Sequence, residues 1–121
     1  MILYFLWKAY YSPDKVKSKK LIEKTTKERF ISSIVLHEIY KLTLKKEGRE
    51  TAKLRTTLLE QDYKVVDVNA NLAKSSAELR LKYDMSMADS IIAATALFLK
   101  APCISDDPHF KAVKEIKTEW I

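Results

Sequence analysis

The chain has 121 residues, one cysteine, 22 basic and 16 acidic side chains, and a formal net charge of +6. This length suits one domain, so residues 1–121 are interpreted as a single unit. Cys103 excludes an internal disulfide and suits a reducing compartment, so we expect a cytoplasmic protein. The apolar run at residues 1–7 ends at Lys8, far short of a membrane span, and predicts neither a signal peptide nor an anchor.

The positive charge is concentrated in the first half of the chain. Residues 1–60 carry 14 basic and 7 acidic side chains, whereas residues 61–121 carry 8 and 9. This asymmetry favours a polyanionic partner such as a nucleic acid, because each lysine or arginine placed against a phosphate releases a counterion. Lysine-rich faces also simply solvate helices, and that interpretation stays open.

The spacing of apolar residues predicts helices over residues 2–10, 14–26, 34–46, 50–60, 69 or 71 to 83, 87–100 and 108–113. Runs of apolar and β-branched residues predict strands at residues 29–32, 63–68, 102–105 and 116–120. Ser33 is the predicted N-cap of the helix at 34–46, and Gly48 is expected to close it. The helix at 87–100 is the most apolar and is expected to be buried on nearly all sides. The alternation predicts an α/β fold with a parallel sheet covered by helices.

Three acidic residues occur in largely apolar surroundings: Glu38, Asp89 and Asp107. Carboxylates that converge on Mg²⁺ or Mn²⁺ would explain them, because these hard ions take oxygen ligands and cancel the repulsion between the charges. Ligands of an open parallel sheet gather beyond the carboxyl ends of its strands, and Asp107 follows one such end. We therefore expect the three carboxylates to meet at that edge.

Glu38 and Asp89 each have a structural alternative. Glu38 lies about 100° around its helix from Ile39, at the rim of the apolar stripe, where glutamate is common. Asp89 stands three residues after Ser86, at the spacing of a capping box, and it also suits the positive end of a helix dipole. For Asp89 taken alone, the cap is the favoured interpretation.

Asp107 precedes Pro108, and this pair is an ordinary helix start, which leaves Asp106 unexplained. Two adjacent carboxylates repel each other, which solvent tolerates and a nearby cation would relieve. His37 and His109 lack the paired spacing of zinc ligands. Glycine-rich phosphate loops, nucleophile elbows and Cys-x-x-Cys pairs are also absent from the sequence.

Taken in order, these segments resemble the PIN domain family of small ribonucleases, which includes the toxins of VapBC toxin–antitoxin pairs. The matching stretches are residues 31–40, 83–97 and 103–110, and the middle one is the most specific. The resemblance implies that Glu38, Asp89 and Asp107 are the catalytic, metal-binding acids. It gives Ser105 a supporting role beside the acid cluster and leaves Asp106 either as an outer-sphere helper or as a solvated residue.

The resemblance also implies a fold, an activity and partners. The expected fold is a three-layer α/β/α sandwich with a parallel sheet. The expected activity is Mg²⁺- or Mn²⁺-dependent hydrolysis of RNA by a metal-activated water, without a nucleophilic side chain. RNA, an antitoxin protein and a second copy in a homodimer are the expected partners.

One departure from the family concerns the start of the chain. The family begins with a strand that ends in an aspartate, and both are expected to be missing here, with Asp14 a poor substitute. A start codon assigned too late and a genuine loss of catalysis would each account for this. The alternative function is therefore a non-catalytic PIN module that binds RNA or an antitoxin-like protein.

Overall fold

The structure is a computed structural model and describes residues 2–4, 29–105 and 108–120. Within these ranges one sheet contains the strands β1 (Ile2–Tyr4), β2 (Arg29–Ser32), β3 (Lys64–Val66), β4 (Cys103–Ser105) and β5 (Thr118–Trp120). Every pair of neighbouring strands is parallel, and the spatial order is β3-β2-β1-β4-β5. The predicted α/β fold with a parallel sheet is confirmed.

Strand β1 corrects two expectations from the sequence. Residues 2–4 were predicted to begin a helix, and the first strand was expected to be missing; instead Leu3 pairs with Phe30 of β2 and Cys103 of β4. A central strand has neighbours on both sides and covered faces, so its sequence is a continuous apolar run that periodicity cannot distinguish from a buried helix. Residues 5–10 and the helix predicted at 14–26 lie outside the described residues.

The described helices are α1 (Ser33–Glu47), α2 (Arg49–Asp62), α3 (Ala70–Tyr83), α4 (Met87–Leu99) and the short α5 (Pro108–Lys111). They match the predicted helices to within one or two residues at most ends. Of the two candidates for the start of α3, Asn69 is the N-cap: its Oδ1 accepts a hydrogen bond from the Leu72 N–H at 2.9 Å.

The cap of α1 is Ser32 rather than the predicted Ser33. Ser32 has an extended backbone and its Oγ accepts from the Ile34 N–H at 3.3 Å. The Ser33 hydroxyl instead accepts from the Val68 N–H at 3.3 Å, so it joins the end of β2 to the segment after β3. Gly48 closes α1 as predicted, with a φ of +92° that favours glycine.

Helix α4 is the centre of the core. It contacts β1, β2 and β4 on the sheet and lies against α1, α3 and α5. Its residues 90–96 are all buried, but the expectation of burial on nearly all sides is wrong for the last turn, where Phe98 is 63% exposed. Ile91 lies two turns earlier on the same side and is buried, so neighbouring elements cover the middle of α4 and leave its end open.

Candidate active site

The strand order places a topological switch point at the carboxyl ends of β1 and β4. The chain proceeds from β1 outward to β2 and β3, then crosses to the other side of β1 to form β4 and β5. Such a switch point is where open parallel sheets bind ligands. Tyr4 of β1 is aligned with Ile104, so β4 continues to Ser105 one residue beyond this pair. The site is therefore expected where β4 ends.

Glu38 reaches this region from α1, which starts directly after β2. It lies on the same side of the helix as Val35 and Leu42, at the margin of the buried stripe, and it is half-buried. Its carboxylate forms no hydrogen bond or ion pair with any residue in the described ranges. A partly buried carboxylate with no donor in the described ranges is available to a cation, which suits a metal ligand.

Asp89 lies in the first turn of α4 and is also half-buried. Ser86 is the N-cap, and its Oγ accepts from the Asp89 N–H at 3.2 Å, so the Ser86 half of the predicted capping box is present. Asp89 shares its side of the helix with the buried residues Ile92, Ala93 and Ala96. Its carboxylate therefore stands at the end of the face that α4 turns toward the core.

The direction of α4 sets the level of Asp89 relative to the sheet. Leu99 ends the helix, and β4 starts soon afterwards at Cys103, so the end of α4 lies near the amino edge of the sheet. Asp89 is ten residues earlier, about 15 Å along the helix axis, which brings it toward the carboxyl edge. Because α1 and α4 contact each other, Glu38 and Asp89 stand on adjoining helices.

The remaining predicted site residues are only partly described. Asp106 and Asp107 lie outside the described residues, and Ser105 is described only as the last backbone position of β4. No three histidine, cysteine, aspartate or glutamate residues within the described ranges form a group able to hold a metal ion. The three-carboxylate centre therefore depends on Asp107 and stays a prediction.

Two further features define the carboxyl edge of the sheet. The strand at its centre, β1, consists of Ile2, Leu3 and Tyr4 and carries no carboxylate. Asp67 follows β3 at the same edge and is exposed. Strand β3 is two places from β1, about 10 Å at ordinary strand spacing, so we leave Asp67 outside the candidate site. The position of Asp67 near the end of the strand predicted at 63–68 is the sequence signal that could have placed it at the carboxyl edge.

A groove of about 740 Å³ lies away from these acids and is lined in part by Leu97, Lys100, Ile116 and Lys117. The Cys103 N–H donates to the Lys117 carbonyl at 2.8 Å, which places this groove at the amino edge, where β4 begins. We do not assign it to the acidic site, because parallel sheets bind ligands at the opposite edge.

The perturbed titrating groups among the described residues are also remote from the acids. The Tyr83 hydroxyl donates a hydrogen bond to Glu115 and accepts one from the Lys114 N–H at 3.3 Å. This bond, with the Lys82 ammonium 3.5 Å away, lowers the pKa of Glu115, and the Glu115 charge raises the pKa of Lys82. The cluster joins α3 to the segment before β5 and is structural.

Comparison with known proteins identifies the family. The sequence model of the PIN domain matches residues 2–116. The chain belongs to the PIN domain family. Within the described residues of this PIN domain, no helix is both long and apolar enough to cross a membrane. None of the curated proteins matches the sequence significantly.

Solved structures share the fold at low sequence identity. VapC20 of Mycobacterium tuberculosis, described as a sarcin-ricin loop cleaving toxin, is 19% identical over 94% of this chain and 95% of its own, with a TM-score of 0.81. A toxin–antitoxin complex from Klebsiella pneumoniae is 20% identical over the full length of both chains, with a TM-score of 0.77. VapBC2 from Rickettsia felis, bound to a promoter DNA fragment, is 21% identical over 98% of each chain, with a TM-score of 0.76.

Proposed function

We propose that this PIN domain is a Mg²⁺- or Mn²⁺-dependent endoribonuclease of a toxin–antitoxin pair, acting in the cytoplasm. The observation that carries the proposal is the half-buried Glu38 carboxylate, which has no partner among the described residues and lies on a helix in contact with that of Asp89. Membership of the PIN family supports nuclease activity, and one protein of the same fold is described as a loop-cleaving toxin.

The proposed metal ligands are Glu38, Asp89 and Asp107. Carboxylate oxygens are the donors that Mg²⁺ and Mn²⁺ prefer, so the residue types fit. A bound ion would polarise the scissile phosphate and activate a water for attack. The Ser86 cap holds the first turn of α4 and so orients Asp89, while Ser105 and Asp106 are proposed to support the acids where β4 ends.

The lack of a carboxylate on β1 should lower both the metal affinity and the rate of RNA cleavage. The residues of β1 cannot supply the fourth acid that the family resemblance leads us to expect, and three carboxylates attract a divalent ion less strongly than four. We therefore expect weak metal binding and slow cleavage. The same observation favours a second candidate function, a PIN module without catalysis that binds RNA or an antitoxin.

An antitoxin partner is part of the proposal, since several proteins of this fold were solved as toxin–antitoxin complexes. A groove of about 520 Å³ between α1 and α2 is lined by Leu36, Tyr40 and Leu44 and would accept an apolar segment of such a partner. A homodimer is proposed as well, and the exposed Phe98 side chain at the end of α4 would be covered in it. Sedimentation of the chain alone tests the homodimer.

The experiment that tests the activity is cleavage of a labelled structured RNA with Mn²⁺, with Mg²⁺ and with EDTA. We expect cleavage with either ion, none with EDTA, and a loss of at least tenfold in Glu38→Gln, as for loss of other metal-site contacts. Glu78→Gln makes the same chemical change at an exposed position of α3 and should cleave like the unaltered chain. Equal cleavage with EDTA, or equal activity of the Glu38 and Glu78 variants, would contradict the proposal.

A further inference from the structure

We propose that Lys41 and Lys45 of α1 bind the phosphates of a single-stranded RNA segment next to the cleavage site. The inference rests on the proposed ribonuclease function and adds the path that the bound RNA follows beyond the acidic residues. RNA would extend from Glu38 along the exposed side of α1, toward the end of that helix.

The spacing along α1 places both lysines on the side of Glu38. They follow Glu38 by three and seven residues, so all three positions fall within about 60° around the helix axis. The rise from Glu38 is about 4.5 Å to Lys41 and about 10.5 Å to Lys45. Glu38 is half-buried and both lysines are exposed, so the row begins at the margin of the core and continues into solvent.

The charges of these lysines are uncompensated. Neither Lys41 nor Lys45 forms an ion pair with any residue in the described ranges. In contrast, Arg55 of α2 pairs with Glu47 at 2.5 Å, which neutralises the acidic residue at the end of α1. Two free ammonium groups in line with the acid suit a polyanion, because each can replace a counterion on a phosphate.

The length of the row fits a short stretch of nucleic acid. The 10.5 Å from Glu38 to Lys45 is about three times the axial rise per phosphate of one duplex strand, about 3.4 Å, so the row spans two or three phosphates of a less compact single strand. The ordinary alternative is that a lysine near the end of a helix stabilises its dipole. This accounts for Lys45, which lies in the last turn, but not for Lys41, which lies in the middle of α1.

The test compares RNA binding by K41Q/K45Q and by Lys117→Gln. Lys117 is exposed and lies at the amino edge of the sheet, and it also lacks an ion pair within the described ranges, so K117Q is a control for loss of one positive charge away from the row. Fluorescence anisotropy of a labelled single-stranded RNA would be measured at several salt concentrations, without divalent ions to prevent cleavage. A further variant, K41R/K45R, keeps the charges and should bind like the unaltered chain.

We expect K41Q/K45Q to reduce the slope of log K against log salt by about 1.4, since each contact to a single strand contributes about 0.7. At 0.1 M salt this corresponds to roughly 25-fold weaker binding. K117Q should match the unaltered chain, and the melting temperature of each variant verifies folding. An unchanged slope in K41Q/K45Q, or an equal loss in K117Q, would overturn the inference while leaving Mn²⁺-dependent cleavage intact. Absence of salt-sensitive binding by the unaltered chain together with absence of cleavage would overturn both proposals.

Discussion

Asp89 combines two roles, because it occupies the capped first turn of α4 and is a proposed metal ligand. Two substitutions separate these roles. Ser86→Ala removes the hydroxyl that accepts from the Asp89 N–H at 3.2 Å and leaves the carboxylate in place. Asp89→Asn removes the negative charge and leaves the backbone N–H that Ser86 caps. The two variants therefore change the cap and the metal site one at a time.

Without metal, both substitutions should destabilise the fold modestly. Loss of a serine N-cap costs about 1 kcal/mol, and loss of the aspartate charge near the helix N-terminus costs about 0.3 to 1 kcal/mol. For a domain of this size, 1 kcal/mol lowers the melting temperature by roughly 3 to 6 °C. The two variants should thus resemble each other in EDTA.

With metal, the variants should differ. An ion present at 100 times its dissociation constant stabilises the folded state by about 2.7 kcal/mol, which is a rise of roughly 10 °C in melting temperature. Ser86→Ala should keep this rise because its ligand set is intact. Asp89→Asn should lose most of it, because an amide oxygen without a charge attracts a divalent ion far less.

The assay is thermal unfolding of the three proteins across a titration of Mn²⁺, with a matched series in EDTA. A full Mn²⁺ response in Asp89→Asn would refute Asp89 as a ligand and leave it as a helix-capping residue. Loss of the response in Ser86→Ala alone would show that the cap, and not the carboxylate, governs the site.

The remaining predictions concern the fold around the site. Gly48→Ala should lower the free energy of unfolding by about 1 to 3 kcal/mol in urea denaturation, because its φ of +92° strains an L side chain although the space is open. Ile92 is 1% exposed, so Ile92→Ala should lower the free energy of unfolding by about 2 to 5 kcal/mol, by the same amount with and without Mn²⁺. A loss of stability that depends on Mn²⁺ would contradict a purely structural role for Ile92. Tyr83→Phe should lower the melting temperature at pH 7. The hydrogen bond from the Tyr83 hydroxyl keeps the pKa of Glu115 below the ordinary 4.5, so the difference in melting temperature should shrink as the pH falls through 4.5 and toward the lowered pKa. A difference that grows on acidification would contradict a stabilising bond between Tyr83 and Glu115.

The sequence predicted the structure best where neighbouring residues alone determine a helix or its end. The periodic stripe around Val35 and Ile39, the glycine at position 48 and the serine at position 86 each determine a helix or its end, and the structure agrees. The cap of α1 was placed one residue late because Ser32 and Ser33 are both good caps. They are distinguished by the bond from the Ile34 N–H to Ser32 and by the long-range bond from the Val68 N–H to Ser33.

The strand β1 shows what local patterns cannot supply. Its three apolar residues are compatible with a helix, and their strand conformation comes from pairing with β2 and β4, which are distant in sequence. The exposure of Phe98 has the same origin, because the composition of α4 does not reveal where its neighbours end. Glu38 and Asp89 could be proposed from the sequence since both occur in largely apolar segments, whereas their placement on adjoining helices required the fold.

The most direct measurement of the central claim is anomalous X-ray scattering from a crystal of this chain grown with Mn²⁺. We predict a peak at the carboxyl ends of β1 and β4, with carboxylate oxygens of Glu38, Asp89 and Asp107 about 2 Å from the ion, as in an oxygen-ligated divalent site. A structure in which these oxygens lie more than about 10 Å apart, well beyond any shared or two-ion site, would contradict it.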